Sequence, residues 1–227
     1  ILQTKLGVQP ILAGIITMTG LYSINLMIMG KSNLTLLRVD TLFRAAEELM
    51  PYGTLVLAGM FAAVLAVISQ LSIPTPAGVP VTIQVFGVAL VGAVLGWKLG
   101  LCSVLVYILI GAAGLPVFAN FGGGIRSLIG LTGGYIWAWP VMAVLCGIRP
   151  GLKNRISDLV VRILLSLIGL AAVELIGGLQ WAALSGDMTT GAVFAYSMVA
   201  FVPKDIVITI LGVIVSEPIK QMTDRIG

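Results

Sequence analysis

LVVRILLSLIGLAAVELIGGLQWAAL, residues 159–184, carries only two ionisable side chains, Arg162 and Glu174. The run is long enough to cross the hydrocarbon core of a bilayer as a helix. It has no period-two polar alternation, so it does not read as a barrel strand. Backbone groups in lipid must be satisfied within the segment, which leaves the helix as the spanning form.

Five further runs on the C-terminal side of residue 53 read the same way: Thr54–Ile73, Thr82–Trp97, Leu99–Leu115, Gly133–Ile148 and Ala192–Val215. An earlier one, Ile11–Gly30, is uncharged, and Lys31–Pro51 follows it as a charged connector. The whole chain agrees with this reading. Of its 227 residues 59% are hydrophobic and 10% charged, and mean hydropathy is +1.11. A soluble domain carries far more charge. The expected fold is therefore all-α: a polytopic membrane protein with a six-helix transmembrane bundle plus one extra N-terminal hydrophobic helix. The expected division is 1–44, a hydrophobic fragment with connector, and 45–227, the six-helix membrane domain.

Loop charge orients the bundle. Arg44, Lys98, the group Arg149, Lys153, Arg155 and Arg162, then Lys220 and Arg225 all fall on one side. The opposite connections, Pro74–Val81, Pro116–Thr132 and Ser185–Gly191, hold one basic residue, Arg126. Basic loops stay cytoplasmic, so both ends of the six-helix unit are expected in the cytoplasm.

Several chemistries are disfavoured. The chain has no histidine, which removes imidazole catalysis, metal ligation and pH switching. Cys102 and Cys146 lie in apolar runs and read as packing residues. MGKS, 29–32, ends like a phosphate-binding loop, but Asn25 stands where the first glycine is required. The basic residues are scattered without interleaved aromatics, so no nucleic-acid surface is expected. No resident cofactor and no ATP hydrolysis by this chain are expected.

The exceptions to the charge rule mark a candidate site. VAFVPKDIVITI, 199–210, places Lys204 and Asp205 after Pro203 in an apolar run. Each such charge costs about 2.5–3.5 kcal/mol to insert at a helix centre. Neighbours on a helix point about 100° apart, so a self-cancelling pair is not expected. A proline kink beside two divergent charges suits a polar cavity in the outer half of the bundle. Glu174 is a third intramembrane ionisable group, and the structural alternative is that it pairs Lys204. PVFANFGGGIRSLIGLTGGY, 116–135, offers Asn120, Arg126, Ser127, Thr132 and Tyr135 among glycines. IPTPAGVPVTIQ, 73–84, is a stiff, uncharged loop suited to a lid, with Gln84 at its inner edge. A cation for a carboxylate, amide-like partners and apolar walls describe a vitamin-sized organic acid. Ala58, Ala62 and Ala66 recur at every fourth position, as do Gly92, Gly96 and Gly100. Packing within the chain and docking on a separate membrane protein both fit such spacing.

Five stretches together resemble the BioY-type, biotin-specific substrate-capture subunits (S components) of energy-coupling-factor transporters. They are LAGMFAAVLAVISQLSIP (57–74), PVTIQVFGVALVGAVLGWKLG (80–100), VLVYILIGAAGLPVFANFGGG (104–124), GLTGGYIWAW (130–139) and FVPKDI (201–206). The resemblance spans about residues 52–220. It implies six helices, a biotin pocket open to the outside and capped by the first outer loop, and residence in the bacterial plasma membrane. It also implies docking of the Ala58, Ala62, Ala66 face on a transmembrane coupling protein driven by two cytoplasmic ATPase subunits. By position it points to Asn120, Tyr135 and Asp205 as biotin contacts. The family commonly has glycine where Lys204 stands and lysine where Ile208 stands. The cationic contact thus falls to Lys204 or Arg126, or is lost. Leu131 replaces a preferred proline. Residues 1–44 resemble an internal piece of ABC-importer permeases and read as a fusion or joined fragment with no transport role. The other readings in view are a capture subunit for a different vitamin, a permease fragment without a binding role, and an intramembrane enzyme.

Overall fold

The structure, a computed structural model, describes residues 53–186 and 188–226. The expected span Ile11–Gly30, its connector and the permease-like fragment 1–44 lie outside the described residues. Among the described residues seven α-helices follow in order: α1 Gly53–Ser69, α2 Gln84–Ala112, α3 Ile125–Ile129, α4 Gly133–Gly147, α5 Arg155–Leu184, α6 Thr190–Ala200 and α7 Val202–Ile226. Among the described residues, α2 and α5 are long and apolar enough to cross a membrane. The pair Thr190–Ala200 and Val202–Ile219, bent by 49°, makes a third such unit.

Helix starts follow local chemistry. The Asn154 side chain accepts from Ile156 N at the start of α5, and Thr189 accepts from Ala192 N at the start of α6. Each satisfies an amide that the first turn leaves without an intrahelical partner.

α2 is not one rod. Gly96 has φ 80 and ψ 171, outside helical space. In a continuous helix Gln84 and Tyr107 would stand roughly 35 Å apart, yet Gln84 Nε2 donates to Tyr107 Oη at 3.0 Å. The chain reverses at Gly96, and its arms, 84–95 and 97–112, lie side by side as the two apolar runs lead one to expect. Gly92 and Gly100 make the approach possible: a Cβ on Gly100 would sit 2.9 Å from the Gly92 Cα. The reversal frees carbonyls at the end of the first arm, and Arg149 donates to two of them, Ala93 O and Val94 O.

The core runs between the α2 arms, α4 and α5. Val88, Val91, Val104, Tyr107, Met142, Cys146 and Val173 are buried there. Cys146 packs as expected, whereas Cys102 is exposed. At the far end of the bundle from the cavity described below, Arg162, 4% exposed, pairs with Glu217 and donates to Ser216 Oγ at 3.3 Å. Large apolar side chains such as Val67, Leu109, Leu164 and Ile168 face outward, as a lipid-solvated surface requires.

One short element among the described residues is not helical. The proline-rich loop forms a two-stranded antiparallel hairpin, β1 Ser72–Ile73 and β2 Val81–Thr82, with Ser72 opposite Thr82. It lies against a tight turn, the 3₁₀ segment Ala119–Phe121, where Asn120 and Phe121 both have φ 56. Two successive non-glycine residues at positive φ persist only when neighbours enforce them. The neighbours are polar. Ser69 Oγ and Tyr107 Oη donate to Val117 O, Gln70 Nε2 donates to Phe118 O at 3.2 Å, and Ser72 Oγ donates to Asn120 Oδ1 at 2.9 Å.

Two outcomes follow from this packing. Gly92→Val places its side chain against the Ala143 carbonyl, 2.5 Å from an added Cβ. It should lower stability by about 1–3 kcal/mol, read as Tm in detergent. Tyr107→Phe leaves the Gln84 amide without its acceptor and the Val117 carbonyl with only its Ser69 and Gln70 donors. It should cost about 1–3 kcal/mol and speed amide exchange across 117–122.

Candidate functional site

The hairpin, the 3₁₀ turn and parts of α2, α3, α4, α5 and α7 line a partly open cavity of about 240 Å³. That is small for a ligand pocket. Gly78, Val79, Pro80 and Thr82 form its roof, and Gln84, Asn120, Ser127, Thr132, Tyr135, Glu174, Lys204 and Asp205 bring polar groups to it. Val85, Phe118, Ile136, Trp139, Val173 and Phe201 form apolar wall.

Close helix crossings aim these side chains. A Cβ on Gly134 would sit 2.5 Å from Ile176 O, so α4 and α5 meet backbone to backbone there. The next residue, Tyr135, lays its ring over Gly177 and stands edge-on to Phe201, centroids 6.4 Å apart. Tyr135 Oη and Glu174 Oε2 are buried without a hydrogen-bond partner. Buried polar atoms are nearly always paired, so these two ask for a ligand or water.

The α6–α7 break sits at the cavity. Ala200 ends α6, Phe201 caps it and Val202 begins α7, so Pro203 occupies a first turn, where its missing N–H leaves no helical bond unmade. The expected proline kink is thus a full break, completed just before the proline. Asp205, buried, lies in the first turn of α7, where the helix dipole favours a carboxylate.

The expectation that Lys204 and Asp205 do not pair is wrong. The lysine stem is long enough to fold back, and Nζ pairs with Asp205 Oδ1 while donating to Thr82 O at 2.6 Å. The alternative Lys204–Glu174 ion pair does not form among the described residues.

Of the seven expected binding residues, six line the cavity: Gln84, Asn120, Tyr135, Glu174, Lys204 and Asp205. Arg126 does not. It sits exposed on α3, and its neighbour Ser127 takes the lining position. Gln84 and Asn120 are partly committed to structure through Tyr107 and Ser72. The aromatic wall residues Trp139 and Phe201 are not among the expected ones. Tyr135 and Trp139, four apart and so on one helical face, are the signal that could have found the first of them.

Ala58 and Ala62 are 0% and 2% exposed, and Ala66 packs against the core. The face expected to meet a partner is turned inward. Small side chains that admit a partner helix equally admit a neighbour in the same chain.

A family model described as the BioY family matches residues 41–225. The probable biotin transporter BioY of Pyrococcus horikoshii is 40% identical over 167 residues, which are 74% of this chain and 96% of that protein. The biotin transporter BioY of Rhizobium etli is 30% identical over 177 residues, 73% of this chain and 91% of its own. Among solved structures, an S-component for biotin from an ECF-type ABC transporter matches with a TM-score of 0.64 at 26% identity, covering 74% of this chain and 90% of that one. On the length of the family match and the coverage of its relatives, the chain belongs to the BioY family.

Proposed function

We propose that this chain is the membrane-embedded subunit that captures biotin for uptake by an ECF-type ABC transporter. The observation that carries the reading is the roofed cavity with two unmatched buried polar atoms, Tyr135 Oη and Glu174 Oε2, in a chain of this family. Fused-ring ureido N–H and C=O groups suit Asp205, Glu174 and Tyr135, and the aliphatic tail suits the walls from Val85, Ile136 and Val173. The chain binds and releases; it carries out no reaction. Energy comes from two cytoplasmic ATPase subunits acting through a transmembrane coupling protein, and biotin is cargo, not cofactor.

In the same reading the membrane domain crosses six times: α1, the two arms of α2, α4, α5 and the broken pair α6–α7. The reversal at Gly96 supports the separate arms. Both ends of the unit lie in the cytoplasm of a bacterial cell, with the cavity towards the outside. The reach of Arg149 to the carbonyls beside Gly96 supports grouping Lys98 and the 149–155 basic cluster on one side. Residues 1–44 remain a separate fragment in this scheme.

Equilibrium binding of labelled biotin to the purified full chain tests the reading. Asp205→Asn should weaken binding by at least about tenfold. Tyr135→Phe should weaken it comparably with little change in Tm, because the hydroxyl makes no hydrogen bond of standard geometry, with Ser197 Oγ as its polar neighbour. Arg126→Ala should stay within about twofold of the parent, since an exposed residue off the cavity contributes little. Parent protein that does not bind biotin, or site variants that bind as it does, would overturn the assignment.

A further inference from the structure

We propose that Lys204 is a positioning residue: its ammonium latches the hairpin roof to α7 and holds the Asp205 carboxylate in place, and it does not receive the ligand's own carboxylate. The proposal deepens the biotin reading above and rests on it for its ligand comparison.

The roof is held at three places. Ser72 is tied to Asn120 on one side. Val79, buried, packs with Trp181, Val193 and Phe201 at the tip. The third tie is Lys204 Nζ to Thr82 O, at the end of β2 where the chain enters α2. Among the described residues, no other side-chain hydrogen bond joins α7 to the hairpin.

Lys204 is doubly engaged. Its second partner, Asp205 Oδ1, lies on another element from Thr82, so one ammonium fixes a roof strand and a cavity acceptor together. Charge-assisted bonds of this kind are about twice as strong as neutral ones. The unmet polar atoms of the cavity lie elsewhere, on Tyr135 and Glu174. A ligand carboxylate brought to Lys204 would stand beside Asp205 and compete with it for the same protons, with the Glu174 carboxyl on the same cavity wall. Like charges brought together disfavour that pose. Ligand donors at Asp205 and Glu174 meet no such conflict.

The latch makes a kinetic demand. Without it the roof opens more often, so a bound guest leaves faster whatever its tail carries. The test uses the full chain in lipid nanodiscs with two ligands, biotin and its uncharged methyl ester, and follows amide exchange of the ligand-free protein across residues 77–83. Lys204→Met should speed dissociation of both ligands by the same factor, about tenfold or more, and raise exchange in the roof. Lys204→Arg, which keeps a cation with several donors, should restore both readouts. A loss confined to biotin, with the ester unaffected, makes Lys204 a carboxylate contact and overturns the proposal. Unchanged exchange in Lys204→Met does so as well. If the parent binds neither ligand, the biotin reading fails, and the exchange measurement still decides the latch. Should Lys204→Met not fold, the pair Lys204→Met with Asp205→Asn leaves no charge unmatched. Raised roof exchange in that ligand-free pair supports the latch, and parental exchange overturns it.

Discussion

A polar group in hydrocarbon has no water to turn to, and every charged side chain inside this bundle answers that constraint with a protein partner or a cavity. Arg162 takes Glu217 and Ser216. Arg149 takes carbonyls that the Gly96 reversal leaves unused. Lys204 takes Asp205 and Thr82. Between these ends the core is aliphatic, aromatic and tightly packed. Among the buried polar atoms that make no hydrogen bond of standard geometry, those of Tyr135 and Glu174 belong to residues that line the cavity.

Two breaks in helical geometry build the architecture. At Gly96 a positive φ that an L side chain rarely adopts turns the chain back on itself, and the small residues at 92 and 100 let the arms touch. At Phe201–Val202 the helix stops and restarts with a 49° bend. The restart places Asp205 in a first turn, where a carboxylate is favoured. One break shapes the end of the bundle away from the cavity; the other supplies the polar wall of the cavity itself.

The roof combines two kinds of adhesion. Polar ties from Ser69, Gln70, Ser72 and Tyr107 hold the 3₁₀ turn in a backbone shape it would not keep alone. The hairpin, by contrast, is held at its tip by apolar contact of Val79 and at its base, where β2 leads into α2, by a single ammonium. A few apolar contacts and one polar tie make a region of low local stability, as a ligand entrance needs. The turn is thus the fixed wall and the hairpin the part suited to move.

By itself the sequence determined the solvent and the cast of residues. Sparse charge and long apolar runs required helices in lipid, and the misfit of Lys204, Asp205 and Glu174 pointed to the cavity wall, because burying charge is costly enough to leave a mark in composition. Only tertiary structure decided what those residues meet. The fold-back of Lys204 onto its neighbour depends on side-chain length and on where Thr82 lies, 122 positions away in sequence. The exclusion of Arg126, the inward turn of the Ala58 face and the hairpin in a proline-rich loop depend likewise on which surfaces came together. A spacing rule gives a side chain's direction on its own helix, whereas its partner is chosen by the approach of another.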